Sequence, residues 1–136
     1  MKPIQRFISE FRVEGKIIRT NNLLELDPQT AQIGYLWESF LSKGDRSLRP
    51  YAVYSAYSSD ENGDFDVTVG VKSELGTLVH QNKYLVFEEK GEAPECVLRA
   101  WRSVWEYFKT SEETRLFQTD FEEYSADGVQ IYIGIL

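Results

Sequence analysis

The segment Thr119-Asp120-Phe121-Glu122-Glu123-Tyr124 places acids and aromatic rings side by side. In a strand, alternate side chains share a face. With Phe117 and Phe121 turned toward a core, Glu122 and Tyr124 point the other way, beside Tyr132 on a paired strand. A carboxylate among tyrosines is suited to an organic cation. The acid supplies Coulombic attraction, and the rings supply flat apolar contact with roughly 0.5–2 kcal/mol per good cation–π contact. Burying such an acid without a partner costs several kcal/mol, so its presence in an aromatic cleft asks for one. The competing reading is an ordinary solvated acid on an edge strand. Other chemistry is sparse. His80 is the single histidine and lies in a loop, with neither a Ser-His-Asp arrangement nor a histidine-based metal cluster around it. Cys96, the single cysteine, follows Pro94-Glu95 at a helix start, where a thiolate could in principle be stabilised, but a structural cysteine of the capping turn is the favoured reading. Gly-rich phosphate loops and basic-aromatic patches are missing. The expectation is a binding protein with no metal, no cofactor and no catalytic residue.

The elements that must position these residues repeat. Trp37-Glu38-Ser39-Phe40 returns as Trp105-Glu106-Tyr107-Phe108, and Asp64 to Val71 returns as Gly128 to Ile135. Glu10 to Arg19 reads as a strand with a bulge at Gly15. Asp27-Pro28 reads as a helix start, with Lys43-Gly44 as its end. Pro50 to Ser58 and Phe65 to Lys72 read as a hairpin. The second half repeats the plan, with a strand over Lys83 to Glu89, a helix over Glu95 to Thr110, and strands over Leu116 to Tyr124 and Val129 to Leu136 joined at Asp127-Gly128. The predicted fold is α+β: a pseudo-two-fold duplicated β-α-β-β repeat, halves about 10–72 and 83–136, in a mostly antiparallel sheet with both helices on one face. Neither half buries its apolar face alone, so a groove lies along the approximate two-fold, where small molecules favour binding. The opposite face is expected to be open and to carry Thr68, Gly70, Gln130, Tyr132 and Gly134. Alternation sends Tyr54 and Tyr57 to opposite sides.

Composition limits the partners. The chain of 136 residues is one domain's length, and its net charge of −7 is the wrong sign for a nucleic-acid backbone or an anionic membrane. The N-terminus carries no signal-like apolar stretch and one cysteine makes no internal disulfide, so a cytoplasmic location is expected. Eight tyrosines match eight phenylalanines, alongside three tryptophans, although a purely structural core favours rings without a hydroxyl.

Tyr51-Ala52-Val53-Tyr54, Val67-Thr68-Val69-Gly70, the helix carrying Ala100-Trp101 and Trp105, Asp120-Phe121-Glu122-Glu123-Tyr124 and Ile131-Tyr132-Ile133 resemble the gyrase-inhibitor-like (GyrI-like) effector-binding domains. These form the ligand-binding part of AraC-type and MerR-type multidrug-responsive regulators and also occur alone, including among mobile gene-cassette products. The resemblance spans about Glu10 to Leu136. It implies a cleft at the pseudo-two-fold in which Glu122 meets the positive charge of a small lipophilic cation and Tyr124 stands two residues on. Trp37, Tyr54, Tyr57, Tyr84, Phe87, Trp105 and Tyr132 are the candidate walls. Two departures stand out. Gly134 replaces a proline common in the family's last strand and is expected to loosen the cleft mouth. No helix-turn-helix precedes Glu10, so any regulatory role is expected to run through a separate regulator or protein partner rather than direct nucleic-acid contact. Two other readings are an acidic surface engaging a DNA-handling enzyme such as gyrase, and a hydrolase using Glu122 as general base with Tyr124 or Tyr132 as donor. The chain is expected to be a monomer or a homodimer, the latter through an exposed strand edge near Lys83 to Glu89.

Overall fold

The computed structural model describes residues 2–43 and 49–136. In chain order the elements are β1 (Ile4–Ile8), β2 (Phe11–Thr20), α1 (Asn22–Leu26), α2 (Ile33–Lys43), β3 (Tyr51–Ser55), β4 (Phe65–Ser73), β5 (Thr77–Val79), β6 (Asn82–Lys90), α3 (Glu95–Thr110), β7 (Arg115–Ser125) and β8 (Gly128–Ile135). All eight strands form one sheet in the order β1-β6-β8-β7-β3-β4-β2-β5, every pair antiparallel. The duplication is visible in that order. The first half contributes β3-β4-β2 outward from the centre, the second contributes β7-β8-β6, and the halves meet where Val53 stands opposite Phe121. Helix α3 packs Cys96, Ala100 and Val104 against Val129, Ile131, Ile133 and Ile135 of β8, while Leu36 of α2 joins Val67 and Val69 of β4. Both helices lie on one face, each over its own half, and the central pair β3 and β7 is left between them.

The other face is closed rather than open. Tyr84, Phe121 and Tyr132 join Val13, Tyr51, Val53, Val79 and Val86 in a second apolar cluster. Curling of the sheet makes this cluster. Phe11 of β2 stands edge-on to Phe121 of β7 with centroids 5.2 Å apart, although three strand steps would separate them by about 14 Å in a flat sheet. Gly15 and Gly70 face each other across β2 and β4, and a Cβ on either would lie 1.9 Å from the partner strand's backbone. The register through Gly15 is unbroken, so the expected bulge is a close strand approach instead.

Two further expectations are corrected. The first helix does not begin at Asp27-Pro28. Asn21 caps α1 by accepting the Leu24 amide at 2.8 Å, and Asp27 ends that turn. The Glu25 carboxylate then accepts the amides of Gln32 and Ile33 and so caps α2 from outside it. Helix α2 reaches Lys43; Gly44, expected just beyond it, lies outside the described residues. Strand β6 is not an edge, because β1 pairs along it from Ile4↔Val86 to Ile8↔Asn82. No helix among the described residues is long and apolar enough to cross a membrane.

Candidate functional site

Strands β3 and β7 form the floor between the helices, and their register decides which side chains line it. Glu122 stands opposite Ala52 on one side and Ile131 on the other, and Ile131 belongs to the core under α3. Glu122 and Tyr124 therefore face the helices. Phe121 stands opposite Tyr132, and the two rings stack on the other face with centroids 4.3 Å apart and planes 8° from parallel. The expectation that Glu122 and Tyr132 share a face is thus inverted. Its premise was that Phe117 and Phe121 lie on one side, but the β7 register shifts between Arg115 and Asp120 and Phe117 has φ 53°. Alternation does not carry across that irregularity.

A cavity of about 880 Å³ opens above Glu122. Helix α2 contributes Ile33, Trp37 and Leu41, α3 and its preceding turn contribute Pro94, Val97, Leu98 and Trp101, and the floor contributes Tyr54, Glu122 and Tyr124. Leu41 and Leu98 remain about half exposed, so the mouth is apolar. The volume lies within the range that holds drug-sized ligands. Trp37 packs edge-on to Tyr124 with centroids 4.8 Å apart, and Tyr54 edge-on to Trp101 at 5.3 Å. The cavity is walled by aromatic rings from both halves.

Glu122 is 2% exposed. Its Oε2 accepts the Tyr54 hydroxyl at 2.9 Å and the Trp101 indole N–H at 2.7 Å, and its Oε1 accepts the Tyr124 hydroxyl at 2.6 Å. All three donors are neutral, and among the described residues no cationic side chain pairs with this acid. Burial raises the Glu122 pKa above its ordinary value, and the three hydrogen bonds oppose that shift. Burial, followed by the charge of Glu122, likewise pushes the Tyr54 and Tyr124 hydroxyls well above their usual range, so both stay protonated as donors. Two residues along the same strand, Asp120 shows the contrasting solution. It is fully buried, yet it accepts from Arg115 at 2.8 Å, from the Tyr57 hydroxyl at 2.6 Å and from the Gly134 amide at 2.8 Å. One floor carboxylate is neutralised from within the chain, and among the described residues its neighbour is not.

Of the candidate walls, the structure brings Trp37, Tyr54 and Tyr124 to the cavity with Glu122. Tyr57 turns to the same side as Tyr54, because Ala56 at φ 51° breaks the alternation, but its hydroxyl is committed to Asp120. Tyr84 and Tyr132 belong to the opposite cluster, where Tyr84 bonds to the His80 carbonyl and Tyr132 to Glu123 and Gln130. Phe87 is buried under α3 against Tyr107 and Phe108. Trp105 lies one turn beyond Trp101 and lines a different cavity. Gly134 does not line the mouth; its amide is held by Asp120, a bond a proline could not make. Cys96 is buried on the inner face of the first turn of α3, and burial raises its thiol pKa. Trp101 is the residue the sequence reading missed. Its signal was the need of a buried indole N–H for an acceptor, with Glu122 as the available acid.

Residues 9–135 match the Cass2 family, whose description is integron-associated effector binding protein. An integron cassette protein from the mobile metagenome of Vibrio cholerae is 36% identical, covering 99% of this chain and 96% of its own, with a TM-score of 0.90. The Bacillus subtilis protein YobU, named as a candidate transcriptional regulator, is 28% identical over 91% of both chains. A protein solved bound to tetraphenylphosphonium shares the fold at TM-score 0.76 and 15% identity, covering 100% of this chain and 94% of its own.

Proposed function

We propose that this chain, which belongs to the Cass2 family of integron-associated effector binding proteins, binds lipophilic organic cations in the cavity above Glu122. The observation that carries this reading is a buried carboxylate with three neutral donors and no described ion pair, Arg49 lining the cavity without pairing to it among the described residues. An entering cation supplies the missing charge. Its apolar substituents lie against Trp37, Trp101 and the exposed leucines of the mouth. The tetraphenylphosphonium held by a protein of the same fold supports the ligand class. The polar groups that face the cavity floor are already committed to Glu122, so few directional demands remain for a ligand's shape, and the site accepts varied cations.

The test is a tryptophan-fluorescence titration with tetraphenylphosphonium and with triphenylphosphine oxide, a neutral counterpart of similar bulk. The cation is expected to saturate the signal with an affinity at least about 10-fold higher than the oxide, a difference of about 1.4 kcal/mol. Equal affinities would show that the cavity selects by shape and not by charge.

A further inference from the structure

The second cavity, of about 630 Å³, lies at the other end of α3. Trp105, Phe108 and Lys109 line it from the helix, Arg115 and Phe117 from the start of β7, and Glu61 and Asn62 from the tip of the β3–β4 hairpin. The duplication relates the two cavities. Trp37, a wall of the first, occupies the same place in its half as Trp105 does in the other, since each leads the repeated Trp-Glu-x-Phe segment. The floor charge is inverted as well. Where the first cavity ends on an acid that no described cationic side chain pairs with, the second ends on Arg115, whose side chain is 9% exposed.

Arg115 is incompletely satisfied. Its Nη2 donates to Asp120, but its Nε–H is buried and finds no acceptor among the described residues. A buried donor left in this state is uncommon and calls for an explanation. The Phe117 ring lies 4.3 Å from the guanidinium and covers it, on a backbone with φ 53°, a region that bulky side chains seldom occupy. Because Asp120 neutralises Arg115, and acids as well as bases line the cavity, net charge offers little selection. A hydrogen-bond acceptor does.

We propose that this cavity is a second ligand site, for a flat neutral aromatic compound carrying an acceptor oxygen, with Trp105 and Phe108 as its walls and the Arg115 Nε–H as its donor. The ring stacks on the half-exposed indole of Trp105, and Phe117 turns off the guanidinium to admit the oxygen. Trp101 and Trp105, with centroids 6.2 Å apart, place the two sites on successive turns of one helix.

The experiment is an NMR titration of the ¹⁵N-labelled protein with coumarin, followed at the Arg115 Nε–H and at the indole N–H groups. It is repeated in Trp105→Ala, where the replaced side chain is exposed enough for the fold to persist, and in Glu122→Gln. Coumarin is expected to move the Arg115 Nε–H resonance, to bind the Glu122→Gln protein as it binds the wild type, and to bind Trp105→Ala at least 5-fold more weakly. Absence of saturation up to the solubility limit would overturn the proposal. So would binding that survives Trp105→Ala but is lost in Glu122→Gln, which would put coumarin in the first cavity. Neither result bears on cation binding there, which is read separately.

Discussion

Trp101 on α3 donates its indole N–H to Oε2 of Glu122 on β7 at 2.7 Å, which ties the helix over the second half to the floor at the pseudo-two-fold. Trp101→Phe keeps an aromatic wall and removes the donor. A hydrogen bond to an ionised group contributes about 1.5–3 kcal/mol, so the ionised acid loses much of its support and the Glu122 pKa rises further. Cation affinity at neutral pH is expected to fall by about 10-fold. A carboxyl ¹³C titration of the variant, beside a tetraphenylphosphonium titration, reads both effects.

Acid–base behaviour follows from the direction of the Glu122 shift. Burial raises its folded-state pKa above the ordinary value of 4.5, so the folded protein keeps this proton to higher pH than the unfolded chain does. Stability from this group is therefore present below about pH 4.5 and is lost as pH rises through the raised pKa. Cation binding runs the opposite way, because only the ionised acid supplies charge: affinity climbs through the same window and binding releases a proton. Calorimetry in buffers of different ionisation enthalpy measures that proton. In Glu122→Gln both dependences are expected to disappear, and this variant is expected to match or exceed wild-type stability above the window.

Tyr132→Phe separates the two faces of the sheet. Its hydroxyl bonds to Glu123 and Gln130, and its ring stacks on Phe121 away from the cation cavity. Removing the hydroxyl is expected to cost no more than about 1 kcal/mol of stability and to leave tetraphenylphosphonium affinity unchanged. Tyr124→Phe, which takes a donor from Glu122 itself, is expected to lower it. Comparing the two variants in one titration series gives the contrast.

Arg115 and Asp120 form a buried ion pair at 2.8 Å, with exposures of 9% and 0%. Breaking it with Arg115→Met leaves an uncompensated acid and is expected to lower unfolding free energy by about 3–5 kcal/mol. Urea unfolding checks this. The double variant Arg115→Met/Asp120→Asn is expected to recover part of the loss, because no bare charge remains.

The strand and helix plan was legible because it rests on local signals. The Asp-Gly turn, the alternating isoleucines of β8 and the helical spacing of Val97, Trp101, Val104 and Phe108 all act within a few residues. The duplication made it legible that the two halves share one sheet with a groove between them. The faces of β7 were not, because Phe117 and the register shift beside it reverse the alternation that carried the reading from Phe117 to Glu122. Tyr57 shows the same failure at Ala56. Strand β1 was unread because four of its five residues are exposed and no alternation marks it. The closed second face depends on curl, which brings together Phe11 and Phe121, residues far apart in sequence.

The most direct test of the account is the affinity of tetraphenylphosphonium for wild type and for Glu122→Gln, measured by calorimetry at one pH above the Glu122 transition. The substitution keeps the side chain's shape and removes its charge. A loss of at least about 10-fold in the variant, or about 1.4 kcal/mol, with the fold intact by circular dichroism, is the predicted result. Unchanged affinity would contradict the account, because the cation would then be held without the one buried acid whose charge nothing in the described chain balances.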